Sequence, residues 1–491
     1  MLPATTRRLP GGTIHGIDLA QSMHPFKANI FILGTAILLV ALLCLTGCTD
    51  NVTGADDLAF DTEASPARTE YASPKFRHAH LLDRAIRSEA GKFASNDELS
   101  LIIAVQPGVD KQGIQDRYKH NKRYKHNKRY DYDQVFDGMA WAIEDLHGEN
   151  DFQEFLDVLA SDSEILWFEP AFEITLPPSN TMPSDPGQMI PWNVAAVGGM
   201  DSWAKSGNGY GYVNVDLYIL DTGVANADNN DPNDDLALVE SIDFRDGHDD
   251  ASDIDGHGTH IAGIAAAIDD SDGLVGVAPG ARVHNLKVLG DDGTGDDAQV
   301  IAAIEYVLTQ KLASPSTPIV VNLSLGEDVG STAYTAMDEA VAAAAAQGVV
   351  FVAAAGNHGK DASEISPAHG AAVITVGSYD ATGQFSDFSN YGSTIDLMAP
   401  GEDVVSLSPA GTPVKMSGTS MATAHVSGAA ALYLAQYPWA SPAQVRRALI
   451  DAARAYVIGA PAGTTDLAVW VGQDSPDDDD DDDDGDDDDD D

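Results

Sequence analysis

A chain of 491 residues, 44% of them hydrophobic, with a formal net charge of −50, is too long for one core, so two or three folded units are expected. So acidic a surface repels nucleic acid and stays soluble in salt, which removes nucleic acid from the partners. The charge is unevenly spread: residues 190–473 hold 35 acidic against 10 basic residues, a net of −25, and 474–491 read DSPDDDDDDDDGDDDDDD.

Arg7, Arg8 and Lys27 precede an apolar run from Ala28 to Leu43. That run is short for a membrane span of about 20 residues and suits a signal-peptide core. Leu45-Thr46-Gly47-Cys48 resembles a bacterial lipobox, which implies lipidation of Cys48. An ordinary secretory peptide with an incidental cysteine is the alternative. Cys44 would leave with the apolar run, and the absence of any other cysteine excludes a disulfide framework in the exported part. Residues 1–48 thus read as a signal peptide with lipobox. An exported protein anchored at the bacterial membrane or cell surface is expected, with later release left open. Ser, Thr, Ala, Pro and charge dominate the stretch after Cys48, so 49–97 read as a tether.

A small folded unit is expected over 98–177. LSLIIAVQPG reads as a strand stopped by Pro-Gly, VFDGMAWAI as another, and ILWFEPAFEI as a third. DFQEFLDVLASD carries Phe152, Phe155, Leu156 and Leu159 at helical spacing. The order strand, helix, strand, strand, helix, strand predicts a ferredoxin-like α+β unit. Within it, RYKHNK is repeated in tandem from Arg117 to Tyr130. It is placed in a loop where the first helix ends, and replication slippage is the preferred origin because loops accept insertions cheaply. Docking on the acidic remainder, a cut site and nucleic acid contact are the other readings.

Beyond residue 187 the signals are of the βα type. Val213–Leu220 is expected as a strand that ends at Asp221, and Ile319–Leu325 and Val349–Ala355 as continuous apolar strands of a buried parallel sheet. Asp297 is expected to cap one helix, Ser331–Gln347 to form another, and Ser441-Pro442 to open a late one. Ligands gather at the carboxyl ends of such strands, which is where Asp221 falls. Asp216 and Tyr218 are unexpectedly polar for a buried strand.

Three motifs in this region carry chemistry: YILDTGV around Asp221, DGHGTHIAG around His257 and SGTSMATAHVSG around Ser420. A serine hydroxyl needs an imidazole to take its proton and a carboxylate to fix the imidazole tautomer. Each residue alone has a plain reading, as turn aspartate, helix-start histidine or capping serine. Together, in this order, and with SLG, AAAGN and SNYGS, the segments from Gln188 to Ala453 resemble the subtilase serine peptidases.

The resemblance implies an α/β fold with a subtilisin-like parallel sheet flanked by helices, over 187–473, and a serine endopeptidase acting on proteins or peptides. It implies Asp221, His257, Ser420 and the oxyanion donor Asn357 as catalytic residues, with His257 and the Ser420 hydroxyl facing outward. It also implies Ser324, Leu325, Gly326, Ala353, Ala354, Ala355, Gly356 and Ser366 as substrate-binding residues. ISPAHG and SNYGS are closer to the proteinase K branch, and an apolar or aromatic P1 residue is preferred. The unit at 98–177 resembles the inhibitory propeptide of these enzymes, which implies a self-processing precursor cut within Pro177–Gly187.

The loop from Ile268 to Gly280 resembles a family calcium site, implying Gln188, Asp235, Ile268, Asp270, Asp272 and Leu274 as Ca²⁺ ligands; an acidic surface loop is the alternative. Oxygen donors of this kind suit Ca²⁺, and no organic cofactor is implied. Ala424 stands where the family usually has proline, and His425 reads as structural. The Asp-rich 474–491 is expected to be disordered. A non-catalytic surface-binding protein of the same fold is the competing function, and the presence of all four catalytic residues argues against it.

Overall fold

The computed structural model describes residues 75, 77, 99–118, 125–144, 149–171, 173–176, 180–181, 188–225, 235–270, 273–330 and 334–473. The expectations for residues 1–74 including Cys48, for most of the remaining tether and most of 177–187, for Asp272, for the Phe152 side chain and for 474–491 lie outside the described residues.

The first elements are β1 (Leu99–Val105), α1 (Lys111–Tyr118), β2 (Lys125–Tyr132), β3 (Gly138–Glu144), α2 (Glu149–Ser161) and β4 (Ile165–Pro170). They form an antiparallel sheet of order β2-β3-β1-β4. Along β1 the side chains alternate. Leu101, Ile103 and Val105 pack with Phe155 and Leu159 of α2, while Ile102 and Ala104 join a second core with Ile301 and Ile304. Both faces are buried over Leu101–Val105, which is why that run is apolar without interruption.

The tandem repeat departs from the expected loop. The end of its second copy and the Arg129-Tyr130 that follows build most of β2, which pairs with β3 through a register shift between Lys128 and Tyr130. Arg129 pairs with Asp246 and with Asp296, the latter at 2.6 Å, and the Tyr130 hydroxyl donates to the Phe244 carbonyl. Docking on the acidic part of the chain is therefore the reading that these contacts favour.

The rest of the chain begins with β5 (Glu173–Thr175), β6 (Asn180–Thr181), α3 (Trp192–Ala196), β7 (Asp216–Asp221), β8 (Leu238–Asp243), α4 (His257–Ala266), β9 (Arg282–Lys287) and β10 (Thr294–Asp296). There follow α5 (Asp297–Ala313), β11 (Ile319–Leu323), β12 (Glu327–Asp328), α6 (Ala336–Ala346), β13 (Val350–Ala354), β14 (Ile365–Ser366), β15 (Val373–Tyr379) and β16 (Leu397–Pro400). β17 (Val404–Ser406), β18 (Val414–Met416), α7 (Thr419–Gln436), α8 (Pro442–Ala452), β19 (Arg454–Ala455) and β20 (Leu467–Ala468) complete it.

The main sheet has the order β19-β20-β16-β15-β13-β11-β7-β9-β8 and is parallel except at β19–β20. Chain order reverses about β7, which opens a crevice at the carboxyl ends of β7 and β11. One face is covered by α4 and α7 and the other by α5 and α6. Small residues let α7 run through the core: a Cβ on Gly428 would come within 3.0 Å of the Ala265 carbonyl of α4.

Several boundaries differ from expectation. β7 starts at Asp216, where Asp216 pairs with Arg282 and with His284 (3.2 Å), and Tyr218 stacks on His284 at 4.2 Å. These contacts account for the two polar strand residues. Asp297 is the first helical residue of α5; the cap is Asp296, whose extended backbone lets its side chain accept from the Gln299 amide. α6 starts later than Ser331, at a Thr335–Asp338 capping box, and α8 starts as expected at the Ser441–Gln444 capping box.

Candidate active site

Asp221 ends β7, His257 opens α4 and Ser420 is the second residue of α7, so three elements deliver one polar group each to the crevice. His257 Nδ1 lies 2.7 Å from Asp221 Oδ1, which also accepts the Thr222 amide at 2.7 Å. This bond leaves Nε2 as the ring nitrogen able to take a proton, and Nε2 is buried without a hydrogen-bond partner. Burial pulls the His257 pKa down, but the carboxylate of Asp221, helped by Asp255 and Asp253, outweighs it and holds the pKa above its ordinary value. The Ser420 hydroxyl donates to the Ser324 carbonyl at 3.1 Å.

His257 and Ser420 were expected to face outward and are instead 1% and 3% exposed. Leu176, from the segment before the main sheet, lines the same cavity as Ser420. On either side of it, β5 pairs antiparallel with β10 and β6 pairs antiparallel with β18.

Asn357 follows β13 and lines the cavity with Ser420. Its Oδ1 accepts from the Thr419 amide at 2.8 Å and from Thr419 Oγ1 at 3.0 Å, so Nδ2 is the atom left to donate. The Ser420 amide is among the first N–H groups of α7, which a helix does not satisfy itself. Ser324, Leu325 and Gly326 line the cavity, as do Ala354 and Gly356. Ala353 and Ala355 do not: strand alternation turns them into the cores below. Ser366 is also displaced, its Oγ lying 2.8 Å from Thr335 Oγ1, and its neighbour Ile365 supplies the lining.

Ala424 is buried within the unbroken α7. His425 is a core residue: Nδ1 lies 2.8 Å from the Met421 carbonyl, Nε2 lies 3.0 Å from Asn193 Nδ2, and burial lowers its pKa to about 4. His260 is likewise buried, with its pKa lowered to about 3.

Four of the expected calcium ligands, Gln188, Asp235, Ile268 and Leu274, are linked to one another. Gln188 Nε2 donates to the Ile268 carbonyl at 3.1 Å, and the Ile268 amide donates to the Asp235 carbonyl at 2.7 Å. The Leu274 amide donates to Asp235 Oδ2 at 3.1 Å. Gly273 has a φ of +58°, and a Cβ there would collide with the Asp235 carboxylate, so the loop closes around that carboxylate only with glycine. Asp270 is exposed on the loop. The donor set is oxygen throughout and fits a hard cation. Among the described residues no group of three or more His, Cys, Asp or Glu is placed to hold a metal, and no helix is long and apolar enough to cross a membrane.

Residues that the motifs did not single out complete the surroundings. Asp253 and Thr222 bond to each other behind the Asp221–His257 pair. Glu169 of β4 is fully buried and accepts the Ala336 amide at the start of α6 at 2.6 Å. The Glu305 carboxylate accepts amides of Asp133, Gln134 and Val135 at 2.8 to 3.0 Å. Only Asp253 had a sequence signal, three residues before the His257 glycine pair, and a DxD turn reads equally well as a surface loop.

A buried imidazole–carboxylate pair, a serine at a helix start and an amide donor on a parallel α/β sheet define a serine hydrolase site. The Peptidase_S8 profile, described as the subtilase family, matches residues 158–485. The chain is 40% identical over 248 residues to Subtilisin DY of Bacillus licheniformis, covering 50% of this chain and 85% of that protein. It is 45% identical over 202 residues to the extracellular serine proteinase of Thermus sp. (strain Rt41A), covering 41% and 46%. A solved structure described as a cold adapted subtilisin-like serine proteinase matches with a TM-score of 0.50 and 34% identity, over 58% of this chain and 98% of that one. The chain belongs to the subtilase family. It is a serine endopeptidase, and its substrates are proteins.

Proposed function

We propose that Ser420 is the nucleophile, that His257 acts as general base and then general acid, and that Asp221 holds the imidazole in the donor-at-Nδ1 tautomer. The 2.7 Å His257–Asp221 bond carries this reading. Rotation about the Ser420 Cα–Cβ bond releases the hydroxyl from the Ser324 carbonyl and turns it to His257 Nε2. Its oxygen attacks the substrate carbonyl, the proton passes to Nε2, and the oxyanion meets Asn357 Nδ2 and the Ser420 amide. Nε2 then protonates the leaving amine, and water repeats the sequence on the acyl-enzyme. Substrate backbone adds as a strand beside Ser324–Gly326, and the Ile365 side chain favours an apolar P1 residue.

In the same reading residues 98–177 are an inhibitory propeptide. The burial of Ser420 with Leu176 in its cavity supports this, as does the pairing of β5 and β6 on both sides. The precursor cuts itself within 177–187, freeing the enzyme at 187–473. The chain is exported, as an enzyme of this family called extracellular suggests, and Cys48 anchors it through lipid. Gln188, Asp235, Ile268, Asp270, Asp272 and Leu274 hold a structural Ca²⁺, which would tie the start of the enzyme to the loop after α4. A serine-directed phosphonate tests the site: it labels the wild-type enzyme and not Ser420→Ala, and failure to label the wild type overturns the reading.

A further inference from the structure

Thr222, next to Asp221, is bonded at every polar atom. Its amide donates to Asp221 Oδ1, its hydroxyl donates to Asp253 Oδ1 at 2.9 Å and accepts the Gly258 amide at 3.0 Å, and its carbonyl accepts from the buried Lys287 ammonium. Asp253 is 4% exposed. Its Oδ1 also accepts the Gly256 amide at 2.8 Å, and its Oδ2 accepts the Thr259 amide at 2.8 Å and the Thr259 hydroxyl at 2.6 Å. One carboxylate thus takes four hydrogen bonds. They reach, directly or through Thr222, the residues on both sides of His257 and the residue after Asp221.

All four partners are donors, so the acceptor-only carboxylate is the form that fits, even though burial pushes the Asp253 pKa up. A charge buried this deeply is costly unless fully bonded, and here its bonds all converge on the backbone that carries the reacting pair. We propose that Asp253 is a positioning residue for peptide hydrolysis, fixing the separation of Asp221 and His257 by tying the turn after β7 to the first turn of α4. The inference rests on the catalytic roles assigned above.

Asparagine at 253 keeps the size but turns one acceptor into a donor, which faces either the Gly256 amide and Thr222 or the Thr259 pair. Thr259→Val removes the hydroxyl's bond to Asp253 together with the one it accepts from the Ala225 amide, and Thr259→Ser retains both. The variants are made from the full chain, active sites are titrated, and kcat, KM and the acid limb of the pH–rate profile are measured per active site. Asp253→Asn is expected to lower kcat by about 10²-fold, the effect of a small misplacement of reacting groups, with KM within about twofold. The acid limb moves to lower pH, because a loosened Asp221 contact supports the His257 imidazolium less. Thr259→Val gives a smaller shift in the same direction, which serves as the test if Asp253→Asn does not fold, and Thr259→Ser restores wild-type behaviour. Asp253→Asn also removes a charge that supports the His257 imidazolium, so the acid limb decides in Thr259→Val, which keeps that charge. A merely structural role would change melting temperature and yield while leaving kcat per site at wild-type values in both variants and the acid limb of Thr259→Val unmoved, and that outcome overturns the proposal. His257→Ala separates the two levels: full activity in that variant would sink the catalytic assignment itself.

Discussion

His257 stands between opposed forces, and the sign of their balance has a kinetic consequence. Burial favours the neutral ring, while Asp221, Asp255 and Asp253 favour the charged one and prevail, so the pKa lies above the ordinary 6.5. In its proposed role as general base His257 must be neutral to accept a proton. Activity is therefore present above the raised pKa and lost as pH falls through it, and the acid limb of kcat/KM is expected to have its midpoint above 6.5. A midpoint below that value would contradict the balance. Asn357 gives a second expectation. Replacing it with alanine removes the Nδ2 donor and also the two hydrogen bonds that Oδ1 accepts from Thr419; kcat should fall by about 10²–10³-fold or more, the range known for loss of this donor in subtilisin, with little change in KM. At this scale the sequence was most legible where a motif names an atom's job. It was least legible where neighbours in a strand exchange roles: Ile365 and Ser366, or Ala353 and Ala354, differ only in the side of the chain they occupy, and two-residue strands offer no periodicity to read.

Among elements, the long apolar strands of the main sheet and the small-residue helix α7 were recognisable because burial on all sides leaves only one composition possible. β2 was not. Lys, His, Asn and Arg lack any strand signature, and its conformation comes from pairing with β3 and from Arg129 and Tyr130 engaging Asp296, Asp246 and Phe244. The seam nearby is acidic on both sides. Glu169 of β4 faces the Ala336 amide, with Arg77, Asp338 and Glu339 around it, and burial raises its pKa to about 8. Glu327 of β12 is buried with neither carboxylate oxygen hydrogen-bonded, near Asp297, Glu169, Asp338 and Asp296, and its pKa is raised well above the ordinary value, chiefly by burial. A carboxyl whose docked pKa is raised stabilises docking fully below its free value near 4.5 and loses that contribution as pH rises through about 8. In a Ser420→Ala full chain, hydrogen exchange at the start of α6 should thus accelerate between about pH 5 and 8. Glu169→Gln should flatten the dependence; an unchanged pH profile in that variant would show that Glu169 does not set it.

For the molecule as a whole, the proposed calcium loop and the proposed processing of the precursor would decide how the parts work together. The loop closes around Asp235 and meets Gln188, so a cation held there as proposed would stabilise the folded state by mass action. Chelation is expected to lower the melting temperature by several degrees and added Ca²⁺ to restore it, with Asp270→Ala needing more Ca²⁺ for the same recovery; a melting temperature indifferent to chelator would exclude the site. The parallel α/β sheet was legible in the sequence because its strands carry their own composition, whereas the covered state of Ser420 depends on contacts between segments some 240 residues apart in the chain, Leu176 and Ser420, which no local pattern records. The most direct measurement is mass spectrometry of the full chain expressed as wild type and as Ser420→Ala. Wild type should be cut within 177–187 while Ser420→Ala stays intact; identical cleavage of both chains, or an intact wild type, would contradict self-processing by this site.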